Sequence, residues 1–282
     1  MRTAATTTTP RVRACDYAAM APRGNGRADA RSGAQSVERA LAVLRCFEHA
    51  DRNLGVSEIA AATGLTVSTA HRLTRALCAG GLLMQDPRSE RYQLGPVAVV
   101  LGRRAEEQLG YARALPALES LAEVTGESVN LGIRSGAEVL VVLAVPSPQP
   151  LRFDQLAGSR VAIHTSAMGK CLLAFPPPAP GAEVDVLNGL PRLTRFTDRT
   201  ITRRDRLANE LQRTRERGWA LNDEERNAGV RAVAAPVLDA AGSAVAAVAV
   251  QGPAMRLPDD LLASVAHAIV ATSRTVGPLL AR

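Results

Sequence analysis

The chain has 282 residues, 46% of them hydrophobic, and a formal net charge of +7. That length suits two domains with sizeable cores, and no apolar run is long enough to span a bilayer. No compact apolar block follows the basic residues at the start, so no secretory signal is expected and the location expected is cytoplasmic.

Cysteines at 15, 46, 78 and 171 lie far apart without CxxC spacing. This argues against a zinc site or a disulfide framework and reads as reduced thiols. Residues 1–95 hold 13 Arg against 8 acids, +5, while residues 96–282 are only +2. The excess sits where a nucleic-acid-binding end would need it. No basic amphipathic helix with bulky apolar residues opposite the charges suggests a membrane surface.

Residues 1–33 are rich in Thr, Ala, Gly and Arg without an apolar period and are expected to be a disordered basic tail. From Ser36, SVERALAVLRCFEHA carries Val37, Ala40, Leu41, Leu44 and Phe47 on one helical face, with Ser36 placed to cap it. The stretch from Val56 to Leu83 then holds Ile59, Ala60, Leu65, Ala70, Leu73 and Leu77 at spacings that fit two short helices meeting across a bend at Gly64. Gly64 supplies the positive φ of a sharp turn, and Thr66 is a good N-cap for a second helix from Val67 to Ala79.

That helix turns Ser68, Thr69, His71, Arg72 and Arg75 away from the packed face, with Thr66 at its cap and Ser57 at the start of the helix before it. Hydroxyls at a helix start bond phosphates or base edges, and Arg grips guanine bidentately, so the pattern suits a major groove. An ordinary helical hairpin with a solvated polar face is the alternative. Alternation in LLMQ and RYQL around the polar DPRSE predicts a β-hairpin, a wing with Arg88 and Arg91 at its tip, able to reach the DNA backbone or minor groove.

Pro96 suits a helix N1 position, and Val97, Val100, Leu101, Ala105 and Leu109 form one stripe. The stripe is either a dimer seam or an intrachain core face. ALPALESLAEVTG predicts a helix ended by Gly126. ESVNLGIR, SGAEVLVVLAV and LRFDQL predict strands, in a sheet with helices on one face. PPPAPG breaks the chain into an exposed loop. TRRDRLANELQRTRERG predicts an ion-paired helix with Thr202 as N-cap, Asp205 in a capping box and Gly218 as terminator. WALNDEE, VRAVAAPVL and SAVAAVAVQ complete the sheet, the last two joined by the turn DAAG, with long runs of Val and Ala that imply burial on both faces. A closing helix turns Leu261, Leu262, Val265 and Ile269 inward.

MGKC falls short of a phosphate loop, because His164 and Cys171 stand where that motif needs Gly and Ser or Thr. An enzyme using Lys170 or Cys171 lacks a sequence partner to activate either, and the alternative places Cys171 buried and Lys170 at a surface or interface. A thiol or metal sensor is the third reading. No cofactor is called for.

SVERALAVLRCF, the helix-turn-helix, YQLG, HTSAMGKCLLA, WALNDEE and AAPVLDAAGSAVAAVAVQGP, in that order, resemble the IclR family of bacterial transcription regulators over about residues 34–257. The resemblance implies an α+β chain: a winged helix-turn-helix domain at 34–95, a linker helix at 96–112, and a GAF-like α/β effector-binding domain with a central antiparallel sheet at 113–282. It implies double-stranded operator DNA and a small-molecule effector as partners, and a homodimer or tetramer. It puts the effector against Ala167, Met168, Asn222, Ala232, Ala249 and Gln251. Members that grip small keto acids commonly have Asp at the position of Asn222, Cys at that of Ala232, and Ser at those of Ala249 and Gln251. The substitutions make a less charged pocket with more apolar wall, which points to an aromatic or otherwise largely apolar carboxylic acid rather than glyoxylate or pyruvate.

Overall fold

The computed structural model describes residues 28–48, 50, 52–177 and 186–280, with backbone alone for 28–33. Contacts divide the chain into two units between Gly102 and Arg103.

In the first unit, α1 (Ala28–Arg45), α2 (Val56–Thr63) and α3 (Val67–Ala79) are followed by a two-stranded antiparallel sheet of β1 (Leu83–Gln85) and β2 (Tyr92–Leu94). Gly64 ends α2 at φ 68°, in the left-handed region where a side chain would be strained, and Thr66 caps α3 by accepting the Thr69 N–H. Ile59, Ala60, Ala70, Leu73 and Leu77 close over Val43 and Phe47 of the first segment and over Leu83 and Tyr92 of the sheet. Each fully buried Leu or Ile contributes roughly 1.5–3 kcal/mol here, so Ile59→Ala would cost about 2–5 kcal/mol.

Two expectations for this unit change. α1 starts at Ala28, so Ser36 lies within the helix instead of capping it. Of the predicted tail, residues 1–27 lie outside the described residues. Val43, with Ala40 and Leu44 beside it, forms the inward face of α1, whereas Val37 and Leu41 stay exposed. The apolar stripe is wider than the surface that α2 and α3 cover.

α4 (Pro96–Leu109) straddles the division and has no buried residue. Val99, Val100 and Leu101 are all more than half exposed. Of the predicted stripe, Val97, Val100, Leu101 and Leu109 are all exposed.

In the second unit, α5 (Tyr111–Thr125) precedes β3 (Ser128–Ser135), β4 (Glu138–Val145), β5 (Arg160–Ala162), α6 (Ala167–Ala174) and α7 (Arg204–Arg217). β6 (Ala220–Asp223), β7 (Val230–Leu238), β8 (Ala244–Pro253) and α8 (Asp259–Val276) complete it. The six strands run in the order β5-β4-β3-β8-β7-β6, antiparallel throughout. Successive strand residues point to opposite faces, and both faces are covered. Ala232, Ala234, Ala247 and Ala249 meet α6 and α7, while Val233, Ala235, Val248 and Val250 meet α5 and α8. Helices on both faces replace the expected single helical face, as the unbroken Val/Ala runs of β7 and β8 require.

The strand expected over LRFDQL does not form. Its backbone is held by side chains instead: Asn130 Nδ2 donates to the Gln155 carbonyl at 2.8 Å and Arg256 to that of Leu151 at 2.8 Å. α7 is preceded by Arg203, not Thr202, and has no side-chain cap, because a guanidinium carries no acceptor; Asp205 pairs with Arg203 instead of closing a capping box. Gly218 does end that helix, at φ 79°. α8 buries Leu262, Ala266, Ile269, Ser273 and Val276 and leaves Leu261 exposed. Of the predicted PPPAPG loop at 176–181, residues 178–181 lie outside the described residues. Among the described residues no helix is long and apolar enough to cross a membrane.

Candidate functional site

On α3, Ala70, Leu73, Thr74 and Leu77 are buried, so the opposite face presents Ser68, His71, Arg72 and Arg75 to solvent. Thr66 and Ser57 are exposed and Thr69 is half-buried. Thr66 is already engaged, since its Oγ1 accepts the Thr69 N–H at 3.3 Å and donates to Thr69 Oγ1 at 2.9 Å. The first turn of α3 has no acid, leaving the positive end of its dipole uncompensated. Among the described residues neither Arg72 nor Arg75 is in an ion pair.

The wing tip is an Asp86 turn. The Asp86 carboxylate accepts from the Ser89 hydroxyl and the Arg88 N–H, and these bonds hold it below its ordinary pKa. Arg88 is exposed. Arg91 departs from expectation: its Nε donates to the Asn53 carbonyl at 2.8 Å and its Nη2 pairs with Glu58 Oε2. Glu58 also accepts the Gly55 N–H at 2.8 Å and pairs with Arg52, and these, the backbone bond first, lower its pKa. Arg91 ties the wing to α2 rather than standing free at the tip.

In the second unit, Ala167, Met168, Asn222, Ala232, Ala249 and Gln251 all line one cavity of about 180 Å³. Asn222, Ala232 and Gln251 are register partners in a row across β6, β7 and β8, and α6 begins over that row. Ser166 caps α6 through the Gly169 N–H at 3.4 Å, leaving the amides of Ala167 and Met168 without a hydrogen bond among the described residues. Gly169 sits where a Cβ would collide with the Ile163 carbonyl, so the Gly of the MGKC stretch serves close packing at the helix start.

Around the row, Asn222 Oδ1 accepts the Glu225 N–H at 2.8 Å, and Gln251 Nε2 donates to Asn130 Oδ1. Phe153, Val161 and Val230 supply apolar wall, while Arg160 and Arg226 line the same cavity. Asp154 lines it too, and Arg160 is already bonded to Ser135 at 2.9 Å with Glu138 at 3.8 Å, so Arg226 is the basic group that the substitutions at Asn222, Ala232 and Ala249 did not suggest. Arg226 lies 3.9 Å over the Phe196 ring, which holds its guanidinium in place.

Lys170 is not at a surface. Its Nζ donates to the Leu221 carbonyl at 2.6 Å and to Glu225 Oε1, with Glu210 at 4.0 Å. Burial raises the Glu225 carboxyl above its ordinary pKa, with Lys170 opposing. Cys171 is buried, its thiol pushed up to about 12 by desolvation. A thiol so fully protonated at neutral pH is no nucleophile. His164 contacts the Thr194 carbonyl at 3.0 Å, and burial lowers its pKa. Among the described residues no group of three or more His, Cys, Asp or Glu could hold a metal.

Arg160, Arg226 and Phe153 escaped the sequence reading. Arg226 directly follows WALNDEE and could have been reached by extending that motif. Arg160 lies on a three-residue strand that has no periodic signal, and Phe153 fell on a stretch read as sheet.

Residues 36–87 match the family model for the IclR helix-turn-helix domain, and residues 111–277 match that for the bacterial transcriptional regulator IclR C-terminal domain. The chain is 36% identical over 259 residues to the HTH-type transcriptional regulator BhcR of Paracoccus denitrificans, covering 90% of this chain and 91% of that protein. It is 40% identical over 250 residues to the glycerol operon regulatory protein of Streptomyces griseus, covering 86% and 96%. An IclR transcriptional regulator from Alicyclobacillus acidocaldarius superposes with a TM-score of 0.77 at 26% identity, covering 87% of this chain and 98% of that one. A transcriptional regulator from Rhodococcus sp. RHA1 gives 0.71 at 32%, with the same coverage.

Proposed function

This chain belongs to the IclR family of transcriptional regulators, and we propose that it reads its operator as a symmetric oligomer and answers to a small carboxylic acid with a compact apolar body. As a family member it is a DNA-binding regulator with a C-terminal effector-binding domain, and its relatives are transcriptional regulators, not enzymes.

In this reading α3 enters the major groove. Arg72 grips a guanine, while Ser68, Thr69, His71 and Arg75 meet base edges and phosphates. Ser57, Thr66 and Arg88 contact the backbone beside it. Arg91 is left out, its guanidinium being committed to Asn53 and Glu58. Exposed Val37 and Leu41 on α1 and Val99, Val100 and Leu101 on α4 support a homodimer or a tetramer built from it, since apolar surface of that extent is usually covered. Light scattering tests this, and a strict monomer with and without DNA would refute it.

The observation that carries the effector reading is the convergence of anion-binding groups on one cavity. The open α6 amides, Asn222 and Arg226 border it, with Arg160, already bonded to Ser135, and Asp154 on the same lining. Its volume of about 180 Å³ exceeds the roughly 150 Å³ known to hold a benzene, so a single-ring acid fits. A small phosphate ester of a polyol would meet the same donors, and two relatives carry the name glycerol operon regulatory protein. Calorimetric titration with benzoate, pyruvate, glyoxylate and glycerol 3-phosphate separates these. Benzoate should bind tightest and be weakened by Arg226→Gln. Tight pyruvate binding undisturbed by Ala249→Leu or Met168→Trp would refute the pocket.

A further inference from the structure

Lys170 is the chain's single lysine and is 1% exposed. Its ammonium grips the chain on both sides of a cavity residue: it binds the backbone carbonyl of Leu221, which immediately precedes Asn222, and the side-chain carboxylate of Glu225, three residues after it. Glu225 in turn donates its N–H to Asn222 Oδ1. A carboxamide has one acceptor end and one donor end, so engaging the oxygen fixes its orientation. Nδ2 is left as the end available to the cavity that Asn222 lines.

The turn carrying these groups is held from elsewhere as well. Thr200 Oγ1 donates to the Glu225 carbonyl at 2.7 Å and Thr197 Oγ1 to that of Glu224 at 2.8 Å, while Glu224 itself sits at φ 59°, costly for a residue with a side chain. Stability alone is a weak reason to bury the pair. Replacing a buried ion pair by apolar groups is often neutral or stabilising, whereas removing one partner strands a charge. What the pair achieves that Leu or Met would not is a fixed position for the segment 221–225.

We propose that Lys170 and Glu225 are positioning residues of the effector site, holding Asn222 with its donor end toward the ligand and so requiring an acceptor oxygen there. The proposal rests on the cavity being the effector pocket. An Asp at this position, held by the same Glu225 N–H, would offer the ligand an acceptor in place of this donor. The pair therefore makes Asn222 a specificity determinant.

The test uses the full chain, with benzoate as probe, and compares the parent with Lys170→Met/Glu225→Leu, Glu225→Gln and Asn222→Asp. The double change removes both charges together, so neither is stranded. It should leave the melting temperature within a few degrees while weakening benzoate by about tenfold, the worth of one charge-assisted contact. Amides 221–226 should exchange hydrogen faster in it. Glu225→Gln, which keeps an oxygen for Nζ but removes the ammonium's counter-ion, should lower the melting temperature while retaining benzoate binding, and Asn222→Asp should weaken benzoate more than benzamide. Equal benzoate affinity in the parent and the double variant overturns the positioning role alone. A parent that binds no benzoate overturns the carboxylate reading of the pocket, and the role with it.

Discussion

Arg91→Ala should loosen the wing without removing a DNA contact. The Arg91 Nε bond to Asn53 and the Nη2 pair with Glu58 anchor the residue just before Tyr92, whose N–H and carbonyl bond Leu54 at 2.8 and 2.9 Å. A protected hydrogen bond to a charged group contributes roughly 1.5–3 kcal/mol, and an exposed ion pair about 0.2–1 kcal/mol. With the Arg91 and Glu58 side chains 33% and 39% exposed, the loss should lie between, at about 1–2 kcal/mol. Amide exchange at Leu54 and Tyr92 reads it directly, as a rise of about 5–30-fold. Glu58→Gln should act in the same direction, and the two changes together should cost less than their sum, since they share one interaction. Affinity for all DNA sequences should fall together with base preference intact. Unchanged exchange, accompanied by the loss of about one unit of salt slope, would return Arg91 to the phosphate backbone and refute this account of the wing.

Arg72→Ala should cost about 1–3 kcal/mol on the operator and relax preference at one base pair, leaving nonspecific binding unchanged; operator affinity equal to the parent's would remove Arg72 from base recognition. Arg88→Ala should instead weaken all sequences alike and lower the salt slope by about one, and an unchanged slope in a salt titration would show that it touches no phosphate. Gly169→Ala drives a Cβ into the Ile163 carbonyl and should lower stability by about 1–3 kcal/mol or more, read as a fall in melting temperature; an unchanged melt would mean the α6 start has room to spare. For His164, burial depresses the folded-state pKa, so the unfolded chain binds more protons below the ordinary value of 6.5 and stability is lost as pH falls through that window. The melting temperature of the parent should therefore drop more steeply below pH 6.5 than that of His164→Gln; parallel curves would contradict the assignment.

Local signals carried the first unit. Gly64, Thr66 and the apolar spacing of α2 and α3 act within a few residues of themselves, so the turn, the cap and the bounds Val67–Ala79 are written in the sequence. The Val/Ala runs of β7 and β8 likewise announced buried strands, though not that helices would cover both faces, because burial of a strand does not say what buries it. Partnerships over long separations were not legible. Arg91 looks like any wing arginine until Glu58, distant in sequence, is beside it, and Lys170 looks like a surface lysine until β6 and the turn after it bring Leu221 and Glu225 to its ammonium. The cavity shows the same division. The motifs named its α6, β6, β7 and β8 walls, while Arg160 and Phe153 arrive from a short strand and an irregular loop whose backbone is held by side chains.

Footprinting of the full chain on DNA flanking its own gene, with and without benzoate, tests the central claim most directly. Sequence-specific, ligand-responsive binding predicts a protected site of two related half-sites about one helical turn, or a multiple of it, apart, with a midpoint that benzoate shifts and Arg72→Ala moves to higher protein concentration. Protection that spreads evenly over any DNA, vanishes with modest salt and ignores both benzoate and Arg72→Ala would contradict it.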